Sequence, residues 1–166
     1  MMKQTSKQIL TMIAILLPLS GLVAATVEPV RAQSVVTLVL TDPLTGIAIE
    51  GMDPVSYFTE PAPLPGRPEL EYVWQGAPWL FATQANLDIF KRHPEIYAPQ
   101  FGGHGAMSMS RGFLSDADPD IYLVHKQRLY LFYSASNREA FRLAPDAAAL
   151  KAEEHWQVLS KTLSTR

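Results

Sequence analysis

A chain that repeats its own pattern at a fixed offset must build the same local structure twice. Shifted by 51 residues, the stretch "YVWQGAPWLFATQANLDIFKRHPE" (72–95) lies over "LVHKQRLYLFYSASNREAFRLAPD" (123–146) without a gap. Six positions are identical: Val73/Val124, Leu80/Leu131, Phe81/Phe132, Asn86/Asn137, Phe90/Phe141 and Pro94/Pro145. Unrelated segments of this length share about one or two identities, so duplication is the simpler reading. Independent arrival at one hairpin–helix pattern is the alternative. Duplication predicts that the two units superpose about an approximate two-fold, with Phe81/Phe132 and Phe90/Phe141 equivalent in a shared core.

Each copy reads as strand, tight turn, strand, short helix. "EYVW" and "WLFAT" flank Gln75–Gly76, and "IYLVH" and "LYLFY" flank Lys126–Gln127, all rich in aromatic and β-branched residues. The first helix should start near Thr83. In the second copy "SNRE" suggests a capping box of Ser136 with Glu139. Pro94 and Pro145 should stop the two helices, and Pro78, lacking an N–H, should lie on a strand with a free edge. A last helix is expected over 147–163, capped by Asp146, with Trp156, Leu159 and Leu163 turned to the sheet. Upstream, "VVTLVL" and "IAIEG" read as a strand pair around a "TDPLTG" turn, and "TEPAPLPGRPE" as a loop. The expected fold is a small α+β single domain: two β-hairpin–helix repeats (72–95 and 123–146) plus a C-terminal helix.

The N-terminus shapes which chemistry is open. Lys3 and Lys7 precede an almost uncharged apolar run, 9–25, and "VRAQ" offers Val30 and Ala32 at the small-residue positions of a cleavage site. That order is a secretory signal peptide, 1–32, leaving a 33–166 domain. Pro18, Ser20 and Gly21 interrupt the run, which argues against a retained span. No cysteine is present to carry a lipid, so the expected product is periplasmic or secreted, with no stable membrane anchor after cleavage. The same absence means no disulfides and no thiolate ligands. Removing Lys3, Lys7, Arg31 and Glu28 leaves 11 basic against 15 acidic residues, a net charge of −4 with no basic stripe. Nucleic acid is therefore excluded as a partner.

One stretch invites a metal. "GGHGAMSMSRG" (102–112) sets His104, Met107 and Met109 among glycines, and the only other methionine after residue 33 is Met52. Imidazole and thioether donors suit Cu(I), and neither requires a thiol to lose a proton. If "AMSMS" is extended, alternation puts Met107 and Met109 on one side, where Met52 could close a pocket with His104. The same alternation equally describes two methionines filling core gaps. The other histidines read as structural: His93 at a helix end, His125 packing like its counterpart Trp74, and His155 beside Trp156 on the last helix.

Much of the chain is similar to the YHS-domain family. The resemblance rests on "DPVSYF", the hairpin ending "FAT", "PEIYAPQFGG", and the later "DPDIYLVHKQRLYLFYS". It implies a small α+β fold and kinship with cysteine-based modules that handle heavy metals. Two departures stand out. Members of this kind read G-G-Y-C-A where this chain has Gly102, Gly103, His104, Gly105 and Ala106, so the cysteine position is Gly105. They read G-Y-D-P-V where Met52 replaces the tyrosine. The family's thiol chemistry does not carry over.

Other constellations fail. "DADPD" (116–120) holds Pro119, has no glycine in sixth place and reaches Gln127 at position twelve, so it reads as a solvated turn rather than a calcium loop. The glycine-rich loop lacks the lysine of a phosphate loop, and no G-x-S-x-G elbow surrounds Ser108 or Ser110. No catalytic set is visible. The reading is an exported YHS-type binding module taking a soft metal such as Cu(I) through His104, Met107, Met109 and Met52, with metal ions or metal-handling proteins as partners. Haem held by His or Tyr is a subsidiary form. The alternative is a structural or small-ligand YHS scaffold that has lost its thiol site.

Overall fold

A computed structural model describes residues 37–163, so the leader expected over 1–32 lies outside the described residues. The elements are α1 (Ser56–Thr59), β1 (Arg67–Trp74), β2 (Ala77–Phe81), α2 (Gln84–Arg92), α3 (Pro94–Tyr97), α4 (Ala106–Ser110), β3 (Asp118–His125), β4 (Arg128–Phe132), α5 (Ala135–Arg142) and α6 (Pro145–Leu159). The α+β architecture is the expected one: two antiparallel hairpins, β1–β2 and β3–β4, each followed by helices.

The duplication is written into the backbone. Arg67 pairs with Phe81, Tyr72 with Trp79 and Trp74 with Ala77; Asp118 pairs with Phe132, Leu123 with Tyr130 and His125 with Arg128. Every partner is displaced by the same 51 positions, and both first strands carry an irregularity at the same place, Arg67/Glu71 and Asp118/Tyr122. Both helices are capped alike: Thr83 Oγ1 accepts from Asn86 N at 3.1 Å, and Ser134 Oγ from Asn137 N at 3.3 Å. The cap of α5 is thus Ser134, the counterpart of Thr83, and Ser136 lies inside the helix.

The repeat also reaches further back than the side chains reveal. A left-handed turn (Glu50 φ 53°, Gly51 φ 80°) precedes α1, and its image (Phe101 φ 59°, Gly102 φ 62°) precedes α4. Each unit is therefore turn, short helix, hairpin, helix, helix. Over this front part, 49–59 against 100–110, only Gly51/Gly102 is identical. That is why the sequence shows the repeat only from the hairpins onward.

The core differs from the expectation. Phe81, Phe90, Phe132 and Phe141 are all fully buried, but they fill two clusters rather than one. Trp79, Phe81 and Phe90 belong to the first; Tyr130, Phe132 and Phe141 to the second. Strand alternation explains the split, since β4 is buried on both faces. Leu129 and Leu131 join the first cluster while Tyr130 and Phe132 join the second. Ring pairs repeat too: Phe81–Phe90 at 5.0 Å and Phe132–Phe141 at 5.2 Å.

Several local expectations need correction. The upstream strand pair shrinks to one bridge, Thr41 to Ala48. The chain leaves the extended region at Ile49 (φ 43°), and Ala48 N donates to Pro78 O instead of continuing a ladder. That bond lies on the outer edge of β2, where proline's missing N–H is tolerated. Pro94 and Pro145 do more than stop helices: each is the first residue of the next one. Asp146 does not cap α6; its carboxylate meets His125 Nε2 at 2.8 Å and Lys126 Nζ at 2.7 Å. His125 thus makes a hydrogen bond to an exposed carboxylate instead of packing as Trp74 does. Helix α6 ends at Leu159, leaving Leu163 beyond a short 3₁₀ turn. The last residues of the proline-rich loop, from Arg67, already belong to β1, and Asp118 already belongs to β3.

The hairpin turns give a direct test. Both have two positive-φ residues: Gln75 (49°) and Gly76 (78°), then Lys126 (50°) and Gln127 (59°). This is the primed geometry that matches strand twist, and it favours glycine at its second position. Only the first copy has one. Gln127→Gly is expected to raise stability by about 0.5–1 kcal/mol, read as a higher urea midpoint. A lower midpoint would show that the Gln127 side chain contributes more than the strain costs.

Candidate functional site

The stretch 100–112 follows α3 and is held from both sides. Three successive residues, Phe101, Gly102 and Gly103, adopt positive φ. The upstream chain crosses directly over them. Leu40 N donates to Gly102 O at 2.8 Å, and a β-carbon on Gly102 would stand 1.9 Å from Leu38 O. Glycine is needed there for both backbone conformation and contact.

His104 points inward. It is 2% exposed, its Nε2 lies 3.0 Å from Thr37 O, and its ring centroid is 6.0 Å from that of Trp156. Because a carbonyl can only accept, the neutral ring carries its proton on Nε2. Burial pulls the imidazole below its ordinary pKa, opposed by hydrogen bonding to the backbone of Thr37 and Ser115 and by the charge of Asp116. The sign follows from linkage. A histidine harder to protonate when folded contributes stability above its unfolded value, about 6.5, and loses it as pH falls toward the folded value. Urea midpoints are therefore expected to fall below about pH 6.5 in the native protein and to fall less in His104→Gln. Equal slopes would remove His104 as the cause.

Gly105, the position of the family's cysteine, has ordinary negative φ (−57°) and caps α4. A side chain here would need the Ser115 hydroxyl to turn aside. A β-carbon would lie 2.4 Å from Ser115 Oγ and 3.2 Å from Asp116 O, and Gly105 N donates to Ser115 O at 3.1 Å.

"AMSMS" is a helix, α4, and not a strand. Residues two apart on a helix diverge by about 200°, so Met107 and Met109 do not share a side. Met109 is fully buried in the second aromatic cluster, while Met107 packs half-buried against that cluster. Ser110 Oγ donates to Met107 O at 2.8 Å and approaches its Sδ at 3.5 Å. Met52 packs against the first cluster. His104, Met107 and Met109 therefore gather around one cluster and Met52 belongs to the other. Among the described residues, no group of three or more His, Asp or Glu side chains is arranged to hold a metal ion. His155 Nδ1 meets Met109 O at 3.0 Å, fastening α6 to α4, and His93 is the exposed C-cap of α2.

Asp53 is the residue the sequence reading passed over. It is fully buried and forms no ion pair among the described residues. Its Oδ1 accepts from Val55 N at 2.9 Å, and its Oδ2 accepts from Ala82 N at 2.8 Å and Asn86 Nδ2 at 2.6 Å. The carboxylate thus ties the opening D-P-V segment to the end of the first hairpin and to α2. The 51-residue shift carries Asp53 onto His104 and Asn86 onto Asn137. The buried anion of the first unit has become a buried imidazole in the second. The repeat itself, extended by two elements, was the signal that could have found it.

Residues 55–101 match the family model described as YHS domain. That segment is similar to the YHS domain. The matched segment runs from Val55, the N-cap of α1, to Phe101; it leaves out the left-handed turn at Glu50–Gly51 and Asp53, and ends three residues short of His104. Its image under the shift, 106–152, covers α4 to the middle of α6, so the matched segment is followed by a second copy of its own element order. No curated protein and no solved structure gives a significant match.

Proposed function

We propose that this protein is an exported, non-catalytic YHS module that works as a scaffold, with the loop at His104 serving structure instead of coordination. The observation that carries this reading is the equivalence of His104 and Asp53. Both are buried polar side chains just after a left-handed turn, and each bonds the backbone of a distant segment. Asp53 holds its own unit together, and His104 anchors the upstream chain at Thr37. A metal on Nε2 would have to displace that buried bond. Gly105 supports the same view, because it offers no side-chain donor where the resemblance would place a thiol. Export rests on the order of charged, apolar and small residues at the N-terminus, and N-terminal sequencing of the exported protein should begin at Gln33.

The test is anaerobic Cu(I) competition against a chelator. Native protein and the His104→Ala, Met107→Leu double variant are expected to leave copper with the chelator equally. Stoichiometric uptake by the native protein that the double variant loses would overturn the scaffold reading and instate a soft-metal site.

A further inference from the structure

Helix α6 covers α4 with one face, through Ala152, Trp156 and Leu159 in the second cluster. Its other face is open to solvent and is not uniformly polar. Leu150 is 63% exposed and Val158 66%, and Ala147 lies between them on the same stripe. At 100° per residue, Ala147, Leu150, Lys151, Glu154 and Val158 fall within about one-third of the helix circumference. Both charges in the stripe are exposed, and neither has an ion-pair partner among the described residues.

The order of these residues decides what fits. The sign changes at the middle of the stripe, with Lys151 before it and Glu154 after it. A two-fold axis crossing there, perpendicular to the helix, sets a second α6 antiparallel to the first. Lys151 then faces Glu154 of the other copy twice over, and Ala147 faces Val158 at both ends. A parallel arrangement would put like charges together. An isologous interface needs complementarity under its own two-fold, which the Lys151/Glu154 and Ala147/Val158 pairs meet, while Leu150 faces position 155 at the edge of the stripe.

We propose that the outer face of α6 is the surface on which two copies of this chain pair antiparallel. The dimer would give the scaffold a defined partner. Sedimentation is blind to copper uptake at His104, so each reading can fail without the other.

The full chain is examined by sedimentation equilibrium over a concentration series, native and with Lys151→Glu, Glu154→Lys or both. The native protein is expected to show a monomer–dimer equilibrium. Each single reversal, which sets like charges face to face, should weaken it at least about tenfold. The double reversal should restore it. Mixing the two single variants should give a heterodimer, since one carries only acidic and the other only basic groups at the crossing. These exposed substitutions leave the clusters under α6 untouched, and circular dichroism checks that each variant is folded. A native protein that stays monomeric throughout, or single reversals that pair as well as native, would overturn the proposal.

Discussion

Asp53→Asn is expected to destabilise the domain by about 3–5 kcal/mol, although the substitution barely alters shape. The reason lies in the direction of its hydrogen bonds. All three partners, Val55 N, Ala82 N and Asn86 Nδ2, are donors, and between them they occupy both carboxylate oxygens. An amide offers one oxygen and one NH₂, so whichever way it turns, a donor faces a donor in a fully buried place. A hydrogen bond to a charged group contributes about 1.5–3 kcal/mol, and a buried group left unsatisfied costs about 1–3 kcal/mol. At least one such bond is lost and two groups are left unpaired. Asn86→Ala should cost less, because the Oδ2 it abandons still accepts from Ala82 N. Urea denaturation of both variants checks the order, and an Asp53→Asn loss under about 1 kcal/mol would remove the carboxylate from the role given to it.

The same residue shows where sequence reasoning runs out. Hairpins and helices were legible because their patterns are local: alternating apolar residues, two-residue turns and caps. The offset of 51 then carries the first hairpin's turn onto the second's, and the two registers agree. The front half of each unit was hidden, since backbone conformation was kept while side chains diverged. Gly51/Gly102 survived because positive φ favours glycine, and Asp53/His104 did not look alike because each found a different partner. The conformation of the candidate stretch was hidden for a related reason. "AMSMS" alternates as a strand would, yet the turn before it and the Gly105 N to Ser115 O bond start a helix. Nothing within five residues distinguishes the two, and packing against α6 decides. His125 escaped because its partner, Asp146, lies beyond the next helix.

Phe81→Ala and Phe132→Ala should each cost about 3–5 kcal/mol, the range for emptying the site of a fully buried phenylalanine. The costs should also be alike, because each ring meets one equivalent partner, Phe90 or Phe141, at nearly the same separation. Whether they add is the sharper question. A domain of this size holds about 5–15 kcal/mol in all, so the double alanine variant would be at or past unfolding. Leucine is the better probe, since it keeps most of the volume and costs about 1.5 kcal/mol or less. Had the duplicated phenylalanines met in one core, relaxation around one would alter the other, and a double-mutant cycle would report coupling of about 0.5 kcal/mol or more. With the two faces of β4 between the clusters, Phe81→Leu and Phe132→Leu are expected to add within about 0.3–0.5 kcal/mol. The within-cluster pair Phe132→Leu and Phe141→Leu should couple measurably in the same assay. Coupling across the clusters as strong as within them would mean that β4 transmits strain as one packed body, and the separation into two cores would have to be given up.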